Sequence, residues 1–172
     1  FLNLEVKSNP EKKDVTPEPK EMVSTILKDI KAFNLQDRIV ITSFDWRILY
    51  EFKKQNPNIL RGFLTLQQNL GSTKKNIYEN SPWMEKQFPL EDLFLLPKII
   101  KSLEGHVWSV FYRDVTKKNI ELAHELGLAV NVWTVNRESD IIRMIEYGAD
   151  GIITDYPKKV QDICKSKNIA WF

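Results

Sequence analysis

Apolar and polar positions alternate along Phe1-Leu2-Asn3-Leu4-Glu5-Val6-Lys7, the pattern of a strand. Leu2, Leu4 and Val6 fall on one face, suited to packing under a layer of helices. Asn3, Glu5 and Lys7 fall on the other, which sets an acid and a base roughly 7 Å apart along the strand. Taken alone, that pair fits a salt-bridged edge strand. Residues 8–18 are charged and broken by prolines, hence a loop. A helix is predicted from Pro19, a residue suited to a first helical turn. Met22, Val23, Ile26, Leu27, Ile30 and Phe33 fall on one helical stripe. The β-branched run Arg38–Thr42 predicts a strand ending in Ser43-Phe44-Asp45. Ser43 or Asp45 can cap a second helix with Trp46, Leu49 and Phe52 inward. Ile59–Leu66 reads as a further strand. Residues 67–104 are the least regular: Gly71–Asn76 is polar, Trp83, Met84 and Phe88 follow, and the apolar run 93–100 is interrupted by Pro97. This predicts a long excursion with a broken helix, either a functional loop or a cap over a core edge.

From Val107 the period is sharper. Val107–Tyr112 reads as a strand. Thr116 can cap a helix with Ile120, Ala123 and Leu126 on one side, and Gly127 stands where a helix-ending glycine belongs. Leu128–Val135 reads as a strand. Asn136 can cap a helix carrying Ile141, Ile142 and Ile145, closed by Gly148. Gly151–Thr154 is a last strand, and a final helix carries Val160 and Ile163. Strand and helix repeat with short connections, which requires parallel strands and right-handed crossovers. The candidates are an open doubly wound sheet and a closed (β/α)8 barrel. The glycine-rich phosphate fingerprint of dinucleotide folds is absent. Polar and aromatic residues gather at the strands' carboxyl ends: Glu5 and Lys7, Ser43 and Phe44, Trp133 and Asn136, Asp155. Barrel enzymes place their chemistry there.

Bulk properties narrow the class. The chain has 172 residues, 42% hydrophobic and 28% charged, enough for one core and one domain over 1–172. A complete barrel takes ~250 residues, and six candidate strands are present. The chain starts at Phe1 inside a strand, so it reads as a piece of something longer. The net charge of +2 gives no field for nucleic acid or an anionic membrane. No apolar run reaches the ~18–20 residues of a membrane span, and no signal peptide is present. Cys164 is the only cysteine, which excludes an intramolecular disulfide and fits a reducing, cytoplasmic compartment.

Four blocks together carry a resemblance. Leu2–Lys7, Ile41–Trp46, Val130–Asn136 (Val-Asn-Val-Trp-Thr-Val-Asn) and Gly148–Pro157 (Gly-Ala-Asp-Gly-Ile-Ile-Thr-Asp-Tyr-Pro) resemble, in this order and spacing, the C-terminal part of the glycerophosphodiester phosphodiesterase family. The likeness spans nearly the whole chain and is weakest over 67–108. It implies a (β/α)8 barrel, of which this chain holds about the C-terminal two-thirds without the N-terminal strands. It implies metal-dependent hydrolysis of small-molecule glycerophosphodiesters to glycerol 3-phosphate and an alcohol. By the same resemblance, Glu5 corresponds to a metal-ligand glutamate and Lys7 to a phosphate-contacting lysine. Trp133 corresponds to a tryptophan lining the substrate pocket, and Phe44 to an aromatic near it. A carboxylate suits a hard divalent cation, Mg²⁺ or Ca²⁺. A lysine suits phosphate as a point charge.

The departures are as informative. The family's His-Arg-Gly strand, its Pro-Glu-Asn-Thr segment, its Glu-x-Asp metal ligands and its His-Asp pair have no counterpart here. His106 and His124 lie in no matching motif, so no catalytic residue is assigned within this chain and the chain alone is expected to be inactive. Closing the barrel requires a missing N-terminal segment or a second chain. Asp150 and Asp155 are expected to be structural, and the Lys12-Lys13 and Lys74-Lys75 pairs solvated surface. Trp83, Met84 and Phe88 are expected to form local core rather than a lid. Two alternatives stand beside hydrolysis: a truncated barrel acting as a binding or oligomerising module, and a phospholipase D-like activity of the same superfamily.

Overall fold

A computed structural model of the chain describes residues 1–12, 14–84 and 93–170. Its strands are β1 (Leu2–Glu5), β2 (Ile39–Ser43), β3 (Leu60–Thr65), β4 (Val107–Phe111), β5 (Ala129–Trp133) and β6 (Gly151–Ile152). Its helices are α1 (Pro19–Ala32), α2 (Trp46–Gln55), α3 (Leu96–Ser102), α4 (Lys117–Glu125), α5 (Glu138–Tyr147) and α6 (Pro157–Ser166). All neighbouring strands pair in parallel, in the order β1-β2-β3-β4-β5-β6. A doubly wound sheet reverses its order at a switch point, and this one does not. The sheet also curls. Phe44, just past β2, and Trp133 on β5 have ring centroids 5.4 Å apart, although three strand spacings in a flat sheet would separate them by roughly 14 Å. Sequential parallel strands on a curled sheet make an arc of a (β/α)8 barrel.

The core lies between this arc and the helices. Val23 and Ile30 of α1, Trp46, Leu49 and Phe52 of α2, Ile120 and Ala123 of α4, and Ile141 and Met144 of α5 are all buried. Trp46 stands edge-on to Phe63, with centroids 5.1 Å apart. Its indole N–H donates to the Leu64 carbonyl at 3.2 Å, so the ring is buried without leaving a donor unpaired. Losing such a ring costs about 3–5 kcal/mol.

Local chemistry sets the helix ends. Pro19 opens α1, and the Asp45 side chain accepts the Arg47 N–H at the start of α2. Thr116 and Asn119 form a reciprocal capping box on α4. Gly148 ends α5 in the left-handed region, at φ +88°, where a side chain would be strained.

Several expectations are corrected. Asn136 does not cap α5; Arg137 occupies that position, with no side-chain cap. The Asn136 carboxamide is spent elsewhere, on Asp155 and Thr154. Pro97 does not interrupt a helix but sits in the first turn of α3, where its missing N–H costs nothing. Phe33 lies past the end of α1 and is 70% exposed. The apolar face of β1 is only partly covered: Val6 is buried but Leu2 is 43% exposed, because β1 is an edge strand. β1, β3, β4, β5 and β6 are each shorter than their apolar runs suggest, whereas β2 keeps five residues and runs one residue further, over Ile39–Ser43. The expectations for Lys13 and Phe88 lie outside the described residues. No helix among the described residues is long and apolar enough to cross a membrane.

Candidate phosphodiester site

Parallel strands bring their carboxyl ends to one rim, so β1 and β2 deliver Glu5, Lys7, Phe44 and Asp45 side by side. Alternation turns Asn3, Glu5 and Lys7 toward the barrel interior. The β1–β2 register pairs Glu5 with Thr42, and the Val6 N–H continues it by donating to the Thr42 carbonyl at 2.8 Å. A cleft of about 430 Å³ opens at this rim. Glu5, Lys7 and Phe44 line it together with Asp45, the loop residues Ser8, Asn9, Glu11 and Lys12, the Ser72–Lys74 turn and Trp83.

The charged pair is open to solvent. Lys7 Nζ stands 3.7 Å from Glu5 Oε1, with the two side chains 79% and 37% exposed. At that exposure the contact contributes little to stability and leaves both groups free to meet a ligand. Beneath them the frame is tight. The Asp45 side chain is fully buried. It accepts the Arg47 Nε–H and Nη2–H at 2.9 and 2.7 Å, and the Ser8 hydroxyl at 2.7 Å. Ser43 donates its hydroxyl to the Val6 carbonyl at 2.7 Å and accepts the Asp45 N–H at 3.1 Å. The residues on either side of Lys7 are thus both tied to the end of β2.

Trp133 is not on the cleft wall. It is 9% exposed, its indole N–H donates to the Ser109 carbonyl at 3.1 Å, and its ring backs Phe44 edge-on and Phe111 at 5.3 Å. Met84 is buried as expected, but Trp83 lines the cleft. Its indole N–H is buried with no acceptor among the described residues. Lys12 and Lys74 are exposed, as expected of solvated residues, and also line the cleft. The polar turn at 72–74 inside the least regular stretch was the available signal for that wall.

The histidines and the other carboxylates serve the frame. His106 Nδ1 accepts the Arg61 N–H at 3.2 Å, at the strands' amino ends. Burial and the nearby Arg61 guanidinium lower its pKa. His124 meets Asp150 at 2.8 Å, and the same Asp150 oxygen accepts the Val130 N–H at 2.7 Å. Neither histidine reaches the cleft. Asp114 accepts the Gln67 N–H at 2.9 Å and the Gln68 amide at 3.1 Å, fastening the end of β3 to that of β4. Burial pushes its pKa up. Asp155 accepts the Asn136 amide at 2.7 Å.

For a divalent cation the residues fit only in part. Glu5 has the right donor chemistry at an accessible position. Among the described residues, however, no group of three or more acidic, histidine or cysteine side chains is placed to hold a metal ion.

The model of the glycerophosphoryl diester phosphodiesterase family matches residues 2–159. The chain belongs to this family. A glycerophosphodiester phosphodiesterase of Caldanaerobacter subterraneus subsp. tengcongensis is 27% identical over 140 residues, 81% of this chain and 48% of that protein. A crystal structure from Silicibacter pomeroyi, ascribed to a glycerophosphoryl diester phosphodiesterase, superposes with TM-score 0.78 at 32% identity. It is matched by 100% of this chain over 52% of its own length. A phosphodiesterase of Oleispira antarctica, solved with the product sn-glycerol-3-phosphate, has the same fold at TM-score 0.69 and 20% identity. It is matched by 95% of this chain over 54% of its own length. The chain spans about half the length of the curated relatives it matches. The family agrees with the barrel arc read from sheet order and curl.

Proposed function

We propose that this chain carries the phosphate-binding side of a metal-dependent glycerophosphodiester phosphodiesterase, which hydrolyses a glycerophosphodiester to glycerol 3-phosphate and an alcohol. The convergence of Glu5, Lys7 and Phe44 on one cleft at the carboxyl ends of β1 and β2 carries the reading. On this reading 1–172 is one domain, the C-terminal part of the barrel. Lys7 meets the phosphate oxygens as a point charge. Phe44, supported from behind by Trp133, gives the cleft an apolar floor against the glycerol carbons and excludes water there. Glu5 contributes one carboxylate to a divalent cation, Mg²⁺ or Ca²⁺. Such an ion, when bound, neutralises charge that builds on the phosphoryl oxygens. The general acid and base lie outside this chain's cleft, so the chain alone is expected to be inactive. Joined to a family N-terminal half and supplied with metal, it should hydrolyse glycerophosphocholine. Glu5→Ala should then lower kcat/KM by about 100-fold, and Lys7→Ala by about as much. Full activity of Glu5→Ala would end the assignment.

A second reading, a binding or oligomerising module, has its own observation. Among the described residues β1 and β6 are each paired on one side only, and such edges recruit further strands. A phospholipase D-like reaction at the same cleft would release the same kind of alcohol and differ in the acyl chain carried by the glycerol on the phosphate side.

A further inference from the structure

The cleft has a second half that the phosphate-binding pair does not use. Its outer wall is formed by Asn9, Glu11 and Lys12 from the β1–α1 loop, facing Ser72, Thr73 and Lys74. Lys74 Nζ lies 3.4 Å from Glu11 Oε2, so one ion pair spans the two loops. The sign of the charge here is lopsided. Lys7, Lys12 and Lys74 face Glu5 and Glu11, while buried Asp45 is already neutralised by Arg47. Glu11 is matched by Lys74, and Lys12 has no carboxylate partner among the described residues. An ammonium headgroup entering this wall meets like charge, and the one carboxylate that could attract it is engaged. An anionic headgroup meets the unpaired Lys12 and can draw Lys74 from Glu11, beside the hydroxyls of Ser72 and Thr73.

We infer that this outer wall is the leaving-group subsite and that it selects glycerophosphodiesters whose leaving alcohol carries a second anionic group, such as another phosphate. The inference rests on the phosphodiesterase reading and deepens it. Lys74 exchanges its Glu11 partner for the second anion, and Lys12 adds an unopposed charge. Ser72 and Thr73 supply hydroxyl donors to the oxygens between. Because both lysines are exposed, the preference is modest and sensitive to salt: about tenfold at low ionic strength, from two screened charge contacts.

The test is an NMR titration of the isotope-labelled 172-residue chain with three probes. These are sn-glycerol 3-phosphate, glycerophosphocholine and bis(glycerophospho)glycerol. The expected result is binding at the Glu5–Lys7 rim by all three, with the doubly anionic diester about tenfold tighter than the choline diester. The ratio should collapse in Lys12→Glu and in Lys74→Glu and shrink at high salt. It should persist in Lys28→Glu, which makes the same charge change on an exposed face of α1 away from the cleft. Equal affinities, or tighter choline binding, overturn the inference while leaving the phosphodiesterase reading intact. Persistence of the ratio in both cleft variants overturns it too. Failure of sn-glycerol 3-phosphate to bind at all removes the phosphodiesterase reading, and the inference with it.

Discussion

Asp45 shows how one residue can be both structural and close to the chemistry. Its carboxylate accepts the Arg47 backbone N–H in the first turn of α2, the Nε–H and Nη2–H along one edge of the Arg47 guanidinium and the Ser8 hydroxyl. A buried carboxylate is tolerated only when its oxygens are met in this way. Because Ser8 follows Lys7 directly, the network fixes where Lys7 leaves the strand. Asp45→Ala should lower unfolding free energy by about 2–3 kcal/mol, from the lost cap and the stranded charged donor. Ser8→Ala should cost about 1 kcal/mol, since the hydroxyl is one partner among several. Urea denaturation measures both, and an Asp45→Ala cost no larger than that of Ser8→Ala would show the network is slack. The sequence marked Asp45 as a helix cap but not as a brace for the first strand. Pairing between residues 37 apart is set by the parallel register, which no local pattern encodes.

Elements show the same division. The helix stripes, the β-branched runs and the glycine stops were legible because burial and backbone geometry impose periods on a sequence. Asn136 was misread because an asparagine before a helix looks like a cap, and its actual partners, Thr154 and Asp155, belong to the next strand's end. Trp133 was placed in the substrate pocket by resemblance, and its ring packs edge-on against Phe44, which lines the cleft. The β3–β4 pairing carries an expected pH dependence. His106 extends that ladder by accepting the Arg61 N–H on Nδ1, which requires an unprotonated nitrogen. Its folded pKa is lowered from 6.5, by burial first and Arg61 next. The unfolded chain therefore binds the proton more readily. The stabilisation is complete above the unfolded value and is lost as pH falls through it toward the folded one. Between pH 7 and 5.5, stability should drop with a slope of at most about 1.4 kcal/mol per pH unit. His106→Asn, which keeps an acceptor but cannot titrate, should flatten it. Glu104, held low by its hydrogen bond and charge contact with Lys53, loses its contribution only at more acid pH. An unchanged slope in His106→Asn over that range would exclude this histidine as the source.

At the scale of the whole molecule, the arc leaves two seams. One groove, of about 450 Å³, runs along β1 and α1 between Leu2, Leu4, Ile26, Ile30 and Phe33. The other, of about 660 Å³, lies along β6 and the last two helices between Ile145, Ile152, Val160, Cys164 and Ile169. Each joins an unpaired ladder edge to an apolar face, the combination that natural sheets cover or charge. The sequence prepared for this through its strand count, although the exposure of Leu2 and Phe33 needed the structure to show it. On the phosphodiesterase reading, the two further strands of a (β/α)8 barrel would cover both seams at once. Adding a family N-terminal half in trans should therefore give a 1:1 complex. Without it, the chain should self-associate through the micromolar range, as transiently exposed edges do. Charging one seam, with Leu2→Lys and Phe33→Lys together, should weaken both kinds of association. Neither residue touches the buried core, so the fold of the chain should be kept. Sedimentation velocity separates the outcomes. Association that is insensitive to the double variant would place the contact elsewhere. A monomer that ignores the added half would mean the seams are stable in water and the barrel is not completed this way.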